Sequence, residues 1–303
     1  MGLRIDVVTV PYRYDQRRDG SGRGPDALLE AGLIDRLEKA GLTVNGVAEA
    51  ALPEEDRTDG SIAVNVGRLG ARTANLVAEA RERGSGVLVI SGDDTAMVGV
   101  VSGLQRVHGA DARIGLVWLD AHGDFNTPET SYSGILAGMP VAILAGLAGP
   151  LWRGAAGLAA PLATDRIVIS GVRDLDEREE TLLNSTDVSV VRGNDAQGHH
   201  RAIARLARNC DLLCLHVDLD LMDPALVPSS ATPEPGGFSI PQATTFIEAV
   251  LATGKVCVTS MAGLNPGGGL LGRRSVASTL ELLEVVIPRW ASVETSEAPN
   301  ADA

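Results

Sequence analysis

Aromatic residues are scarce: Phe 3, Trp 3 and Tyr 3 make up 3 % of 303 residues. A core for this chain must therefore be built from Val, Leu, Ile and Ala. Cysteine is equally sparse, at 3. The odd number and the position of Cys210 and Cys214, flanking Leu212-Leu213, predict buried thiols rather than a disulfide framework or a structural zinc site. Basic residues are outnumbered, 26 Lys and Arg against 39 Asp and Glu, for a net charge of −13. That balance argues against nucleic acid and against an anionic membrane, because both need clustered Lys and Arg. Long apolar runs are missing too. The longest, Met139 to Trp152, is broken by Pro140, Gly146, Gly149 and Pro150 and is too short to span a bilayer. The opening Met1-Gly2-Leu3-Arg4-Ile5-Asp6 has no apolar signal core, so a cytoplasmic location is expected.

What is present is an alternation. Apolar β-branched or Leu-rich runs at Ile5 to Val10, Val87 to Ile90, Ile114 to Leu119, Arg166 to Ile169, Leu212 to Val217 and Val256 to Thr259 read as strands. Between them Asp26 to Ala40, Ser61 to Arg83, Met97 to Val107, Gly138 to Leu147, Ala202 to Arg208 and Pro241 to Thr253 carry helical periodicity. Strand and helix in turn predict a mostly parallel sheet with helices on both faces, a three-layer αβα architecture. No linker composition divides the chain. Residues 1–290 are read as one domain and 291–303 as a disordered tail with nothing to bury.

In open parallel sheets ligands bind beyond the carboxyl ends of the strands. Three of the apolar runs lead into acids there: Asp93-Asp94, Asp120-Ala121-His122-Gly123-Asp124, and Asp218-Leu219-Asp220. Alternation places Asp218 with Asp220 on one side of an extended chain, and Asp120 with His122 and Asp124 if the extension persists. Any one Asp at a strand end can be a turn or cap residue. Five carboxylates and an imidazole at neighbouring strand ends would repel without cations, and an oxygen-rich set with one His suits Mn²⁺, Mg²⁺ or Fe²⁺.

The segments Asp120-Ala121-His122-Gly123-Asp124 and His216-Val217-Asp218-Leu219-Asp220-Leu221-Met222-Asp223-Pro224, with Gly22-Arg23-Gly24-Pro25 before and Thr232-Pro233-Glu234-Pro235-Gly236-Gly237 after, resemble the arginase (ureohydrolase) family over about Ile5 to Glu284. The resemblance implies an arginase-like fold, two Mn²⁺ per chain, and a bridging hydroxide that attacks a guanidinium carbon to release urea or hydroxyurea. By motif match, Asp120 and Asp218 would bridge the ions, Asp94 and Asp124 would hold one, and His122 with Asp220 the other. Asp124 and His122 would also carry the catalytic part. Asp223 is read as a turn residue before Pro224. Asn126, Ser131 and Ser133 match the loop that holds a substrate α-carboxylate, and Asp176 the acid that holds an α-amino group, implying a guanidino amino acid as the small-molecule partner. A homo-oligomer is compatible with the same reading.

Three positions depart from the family pattern: Asp94 stands where His is usual, Ala137 where a site His is usual, and Gly263 where a guanidinium-pairing Glu is usual. Asp94 adds a negative charge, which should raise the pKa of bound water. The other two departures point to Nω-hydroxy-L-arginine, less basic than arginine, as an alternative substrate, or to a catalytically silent metal-binding protein. His216, in the family's Ser position, is read first as a neutral, satisfied strand histidine, with a hydrogen-bond donor to the site or an acid/base group as the alternatives. His199 and His200 are read as surface residues and His108 as a loop residue.

Overall fold

The computed structural model describes residues 3–267 and 269–296, with side-chain burial through residue 290. The strands are β1 (Arg4–Val10), β2 (Tyr12–Arg13), β3 (Gln16–Arg17), β4 (Thr43–Glu49), β5 (Gly86–Ser91), β6 (Ile114–Leu119), β7 (Ile167–Val172), β8 (Ser189–Arg192), β9 (Leu212–Asp218) and β10 (Val256–Ala262). The helices are α1 (Gly24–Glu30), α2 (Leu33–Lys39), α3 (Ile62–Glu82), α4 (Met97–His108), α5 (Pro140–Leu144), α6 (Pro150–Ala156), α7 (Glu177–Asn184), α8 (Ala196–Asn209), α9 (Ile240–Leu251) and α10 (Leu270–Ser296). Eight strands form one sheet in the order β4-β1-β5-β10-β9-β6-β7-β8, and every neighbouring pair is parallel. β2 and β3 make a separate antiparallel ribbon.

β5, β6 and β10 are buried at every residue. That is why they read as unbroken apolar runs: both faces of the sheet are covered. Leu88 and Ile90 face a core shared with α1, α2, α8, α9 and α10, whereas Val87 and Val89 face one shared with α3 to α7. The few aromatics are spent inside, with Trp118, Trp152, Phe125, Phe238 and Phe246 among the largest fully buried side chains. Cys210, Cys214 and Cys257 are buried and form no disulfide. No helix among the described residues is long and apolar enough to cross a membrane.

The expected helix over Asp26 to Ala40 is two helices, because Gly32 at φ 85 turns the chain left-handed between them. β4 and β8 escaped the sequence reading. They are the two sheet edges, half-exposed and without a continuous apolar run. α10 escaped it too: Pro288 and the β-branched run Val285-Val286-Ile287 weaken its helical pattern, yet tertiary packing of Leu282, Leu283 and Val286 retains it. This helix carries the chain past the expected boundary at 290 to Ser296, and residues 297–303 of the expected tail lie outside the described residues. His108 ends α4 rather than lying in a loop.

The reading of His199 as a surface residue is corrected. It lies in α8, fully buried, with Nδ1 2.9 Å from Ser170 Oγ and Nε2 3.0 Å from the Phe246 carbonyl, and its ring stacks on Phe246. A carbonyl only accepts, so Nε2 carries the proton and Nδ1 accepts from the hydroxyl. His199, Ile203 and Leu206 share the buried stripe of the helix, a spacing visible in the sequence. Burial pushes the His199 pKa from 6.5 down to about 4. The unfolded chain then takes up a proton that the native state refuses, so this residue's contribution is complete above pH 6.5 and is lost as the pH falls towards 4. By pH 5 about 2 kcal/mol is gone. Urea unfolding of wild type and His199→Gln at pH 7 and pH 5 checks this: the variant is less stable at pH 7 but loses less on acidification. Equal acid losses would contradict it.

Topology fixes where the chemistry falls. From β5 the chain crosses through α4 to β6, leaving two strand positions that β9 and β10 later fill. The carboxyl ends of β5, β10, β9 and β6 therefore lie side by side.

Candidate metal centre

β6 delivers Asp120, which is 1 % exposed. Trp118 Nε1 donates to its Oδ2 at 3.0 Å and the His122 amide to its Oδ1 at 2.7 Å. β9 ends on Asp218, whose Oδ1 accepts the Asp220 amide at 2.7 Å. Asp220 accepts from the Ala121 amide at 3.1 Å and from Thr232 Oγ1 at 2.7 Å. His122 turns Nδ1 inward, 3.1 Å from Asp220 Oδ2 and 3.3 Å from Asp120 Oδ1. After β5, Asp93 takes the capping role by accepting the Thr95 amide, and the buried Asp94 is left to face the cavity.

Three groups of potential ligands result, each with its ligand atoms within 4.8 Å of one another: a more exposed one of His122, Asp174 and Glu234, and two deeper ones, Asp94, Asp120 and Asp218 in one and Asp120, His122 and Asp220 in the other. The deeper two are the relevant pair. They share Asp120, so the pattern is that of a paired site. Asp124 is in neither group. Its backbone is left-handed, at φ 47, so the extension expected from Asp120 onward ends here. It nevertheless lines the same cavity beside Gly138.

Burial pushes Asp218 and Asp124 well above the usual carboxylate range, assisted by charge from Asp220 on the first and from Asp120 on the second. Asp120 rises to about 6 through burial and the charge of Asp220. Burial opposes the His122 charge, but the bonds to Asp120 and Asp220 outweigh it and push the imidazole up to about 12. All four shifts record buried negative charge in want of cations. Oxygen donors with one imidazole fit hard or intermediate divalent ions.

Above this floor is a cavity of about 400 Å³, with Asn126, Ser133, Asp176, Glu179, Thr232 and Glu234 on its walls. Asn126 Nδ2 donates to Asp176 Oδ2 at 3.1 Å, bringing those two expected residues together. Ser133 reaches the cavity. Ser131 does not line it: its Oγ accepts the Gly134 amide at 2.9 Å and shapes the loop. Asp223 accepts the Ala225 amide, the turn role expected for it. Ala137 lines the cavity with no imidazole to offer. Gly263 follows β10 at φ 86, and a Cβ there would sit 2.4 Å from Asp218 Oδ1. The missing side chain at 263 is thus a condition of where Asp218 stands.

His216 is a buried strand histidine that also bonds to a residue of the site. It is fully buried against Trp118, with Nδ1 3.3 Å from Ser260 Oγ and Nε2 2.9 Å from Asp94 Oδ1. A hydrogen bond to one carboxylate oxygen turns the other towards the cavity. Replacing His216 with Ala should weaken metal binding by about 10- to 100-fold. A Mn²⁺ titration of metal-free protein measures it, and an unchanged affinity would place Asp94 outside the ligand set.

Glu179 was not foreseen. Its Oε1 accepts the Phe125 amide at 2.8 Å and its Oε2 the Asp176 amide at 3.3 Å, tying the loop after β6 to the start of α7. Burial raises its pKa to about 7. The Asp176-x-x-Glu179 spacing is a capping box and was legible as such.

A parallel three-layer sheet bearing a paired, carboxylate-rich metal cradle at its central strand ends defines the class as an α/β metal-site protein. Residues 3–279 match the model of the Arginase family. The arginase of Bacillus caldovelox is 31 % identical over 252 residues, 78 % of this chain and 82 % of that protein. Human mitochondrial arginase-2 is 30 % identical over 281 residues, covering 86 % and 77 %. The crystal structure of Bacillus subtilis arginase superposes with a TM-score of 0.80 at 28 % identity, over 94 % of this chain and 98 % of that one. The chain belongs to the arginase family and is an arginase-family ureohydrolase.

Proposed function

We propose that the protein hydrolyses the guanidino group of an arginine-like α-amino acid, using two Mn²⁺ ions. The observation that carries this reading is the pair of ligand groups sharing Asp120 beneath a cavity whose wall brings Asn126 and Asp176 together. The relatives named arginase support it. Asp94, Asp120, Asp124 and Asp218 would hold one ion, and Asp120, His122, Asp218 and Asp220 the other. Two divalent cations here would bring the pKa of a shared water towards neutrality and supply hydroxide without a side-chain base.

The protein's own residues do the rest. Asp176 takes the substrate α-amino group, while Asn126 and Ser133 take its α-carboxylate on a loop shaped by Ser131. Asp124, an ionised carboxylate ligand on the wall of the cavity, would take up the proton of the attacking water and pass it to the departing amino group. His122 directs Nδ1 to the floor and leaves Nε2 towards the cavity. Three buried thiols that form no disulfide suit a cytoplasmic setting.

A second reading, Nω-hydroxy-L-arginine as the substrate, is favoured by Gly263, where the backbone leaves no room for an acid facing the guanidinium. Urea and hydroxyurea release by the Mn²⁺-loaded protein from the two amino acids tests both. Urea from L-arginine at the higher kcat/KM supports the first reading, and hydroxyurea at the higher kcat/KM supports the second. Release of neither would mark a silent metal-binding protein.

A further inference from the structure

We propose that Glu234 is the carboxylate that pairs with the cationic guanidino end of the substrate, an inference that rests on the ureohydrolase reading. A guanidinium entering a half-closed cavity loses water and needs an anion in return. The floor acids Asp94, Asp120, Asp124, Asp218 and Asp220 are committed to ions. Asp176 Oδ2 already accepts from Asn126 and from the Tyr132 amide, and both oxygens of Glu179 accept backbone amides.

Two wall acids remain, Asp174 and Glu234, each able to bring an oxygen within 4.8 Å of the same His122 nitrogen. Asp174 is exposed, whereas Glu234 is only partly so. The Glu234 carboxylate accepts no hydrogen bond among the described residues, and its nearest charged neighbour is His122 Nε2 at 3.9 Å.

The backbone that carries Glu234 is fixed to the floor. Thr232 binds Asp220, the Ala231 amide donates to the Gly263 carbonyl at 3.3 Å, and Arg173 Nη2 lies 3.4 Å from the Glu234 carbonyl. The carboxylate is thus held over the donor set by a loop that leaves it only a long contact with His122 and no hydrogen bond among the described residues. A planar guanidinium offers paired N–H donors to such an acid. The pairing favours the cationic guanidine over its less basic Nω-hydroxy form.

The test compares L-arginine with L-citrulline, which keeps the shape and loses the charge, on Mn²⁺-loaded wild type, Glu234→Gln, Glu234→Asp and Asp174→Asn. Affinity is read by calorimetry where no product forms; where L-arginine turns over, its KM is set against the inhibition constant of L-citrulline. Wild type should prefer L-arginine by about 100-fold, and Glu234→Gln should bring that preference to within about threefold. Glu234→Asp should retain part of it, Asp174→Asn nearly all, and metal content should stay at the wild-type value throughout.

A Glu234→Gln protein that keeps the preference overturns the proposal, as does one that loses its metal, which would make Glu234 a support for His122 alone. No preference in wild type overturns it as well. If wild type releases neither urea nor hydroxyurea yet shows the charge preference and loses it in Glu234→Gln, the ureohydrolase reading falls and the assignment of Glu234 stands.

Discussion

Asp120→Asn should bind fewer than one Mn²⁺ per chain and lose on the order of 10³-fold or more in urea release, the several kcal/mol of transition-state stabilisation that metal ions contribute. The size of the loss follows from geometry. Asp120 belongs to both ligand groups, so a neutral amide there weakens two sites at once. Asn keeps an oxygen for Trp118 Nε1, so the buried indole retains its partner. Metal-free stability should suffer far less, because the substitution removes one anion from a cluster in which burial and the charge of Asp220 push Asp120 up to about 6. Against that gain the His122 amide faces an NH2 in place of Oδ1, so the metal-free variant should melt close to the wild-type temperature. Metal analysis after dialysis and a thermal melt decide the matter together. A variant that unfolds would show Asp120 to be structural, and one that keeps both ions would remove it from the site.

Agmatine, which has the guanidino end of arginine and no α-carboxylate, should be hydrolysed at least about 100-fold less efficiently than the amino acid. Asn126, Thr130 and Asp176 already form a polar chain at the cavity wall, with Thr130 Oγ1 donating to Asn126 Oδ1 at 2.8 Å. Such a wall binds a carboxylate beside an ammonium group, and a substrate lacking the carboxylate leaves desolvated donors unpaired. Asn126→Ala should lower kcat/KM for the amino acid while changing agmatine little, whereas Asp176→Asn should lower both, because agmatine keeps the amino group. Agmatine as the better substrate would discredit the assignment of Asn126 and Ser133.

The parallel sheet was legible because its central strands are buried on both faces and so stand out as apolar runs. The edges were not, since β4 and β8 pack on one side and their composition blends into loops. At the site, the strand-end rule foretold that Asp94, Asp120, His122, Asp218 and Asp220 would meet, because a residue's place at the end of a strand fixes its place in space. Asp124 was harder: its left-handed backbone takes it out of the alternation that governs Asp120 and His122. Glu234 and Glu179 arrive from a loop and a helix whose approach depends on tertiary contacts, so no spacing to the Asp120 segment announces them. The Gly263 substitution was visible in the chain, but its cause, the closeness of Asp218, required the fold.

The proposed hydrolysis of a guanidino group needs two ions that share Asp120 and Asp218. Titrating metal-free protein with Mn²⁺ while following urea and hydroxyurea release measures it directly. The account predicts that release appears with metal and reaches its plateau at two ions per chain. A plateau at a single ion, or no release from any guanidino amino acid with both sites filled, would contradict it.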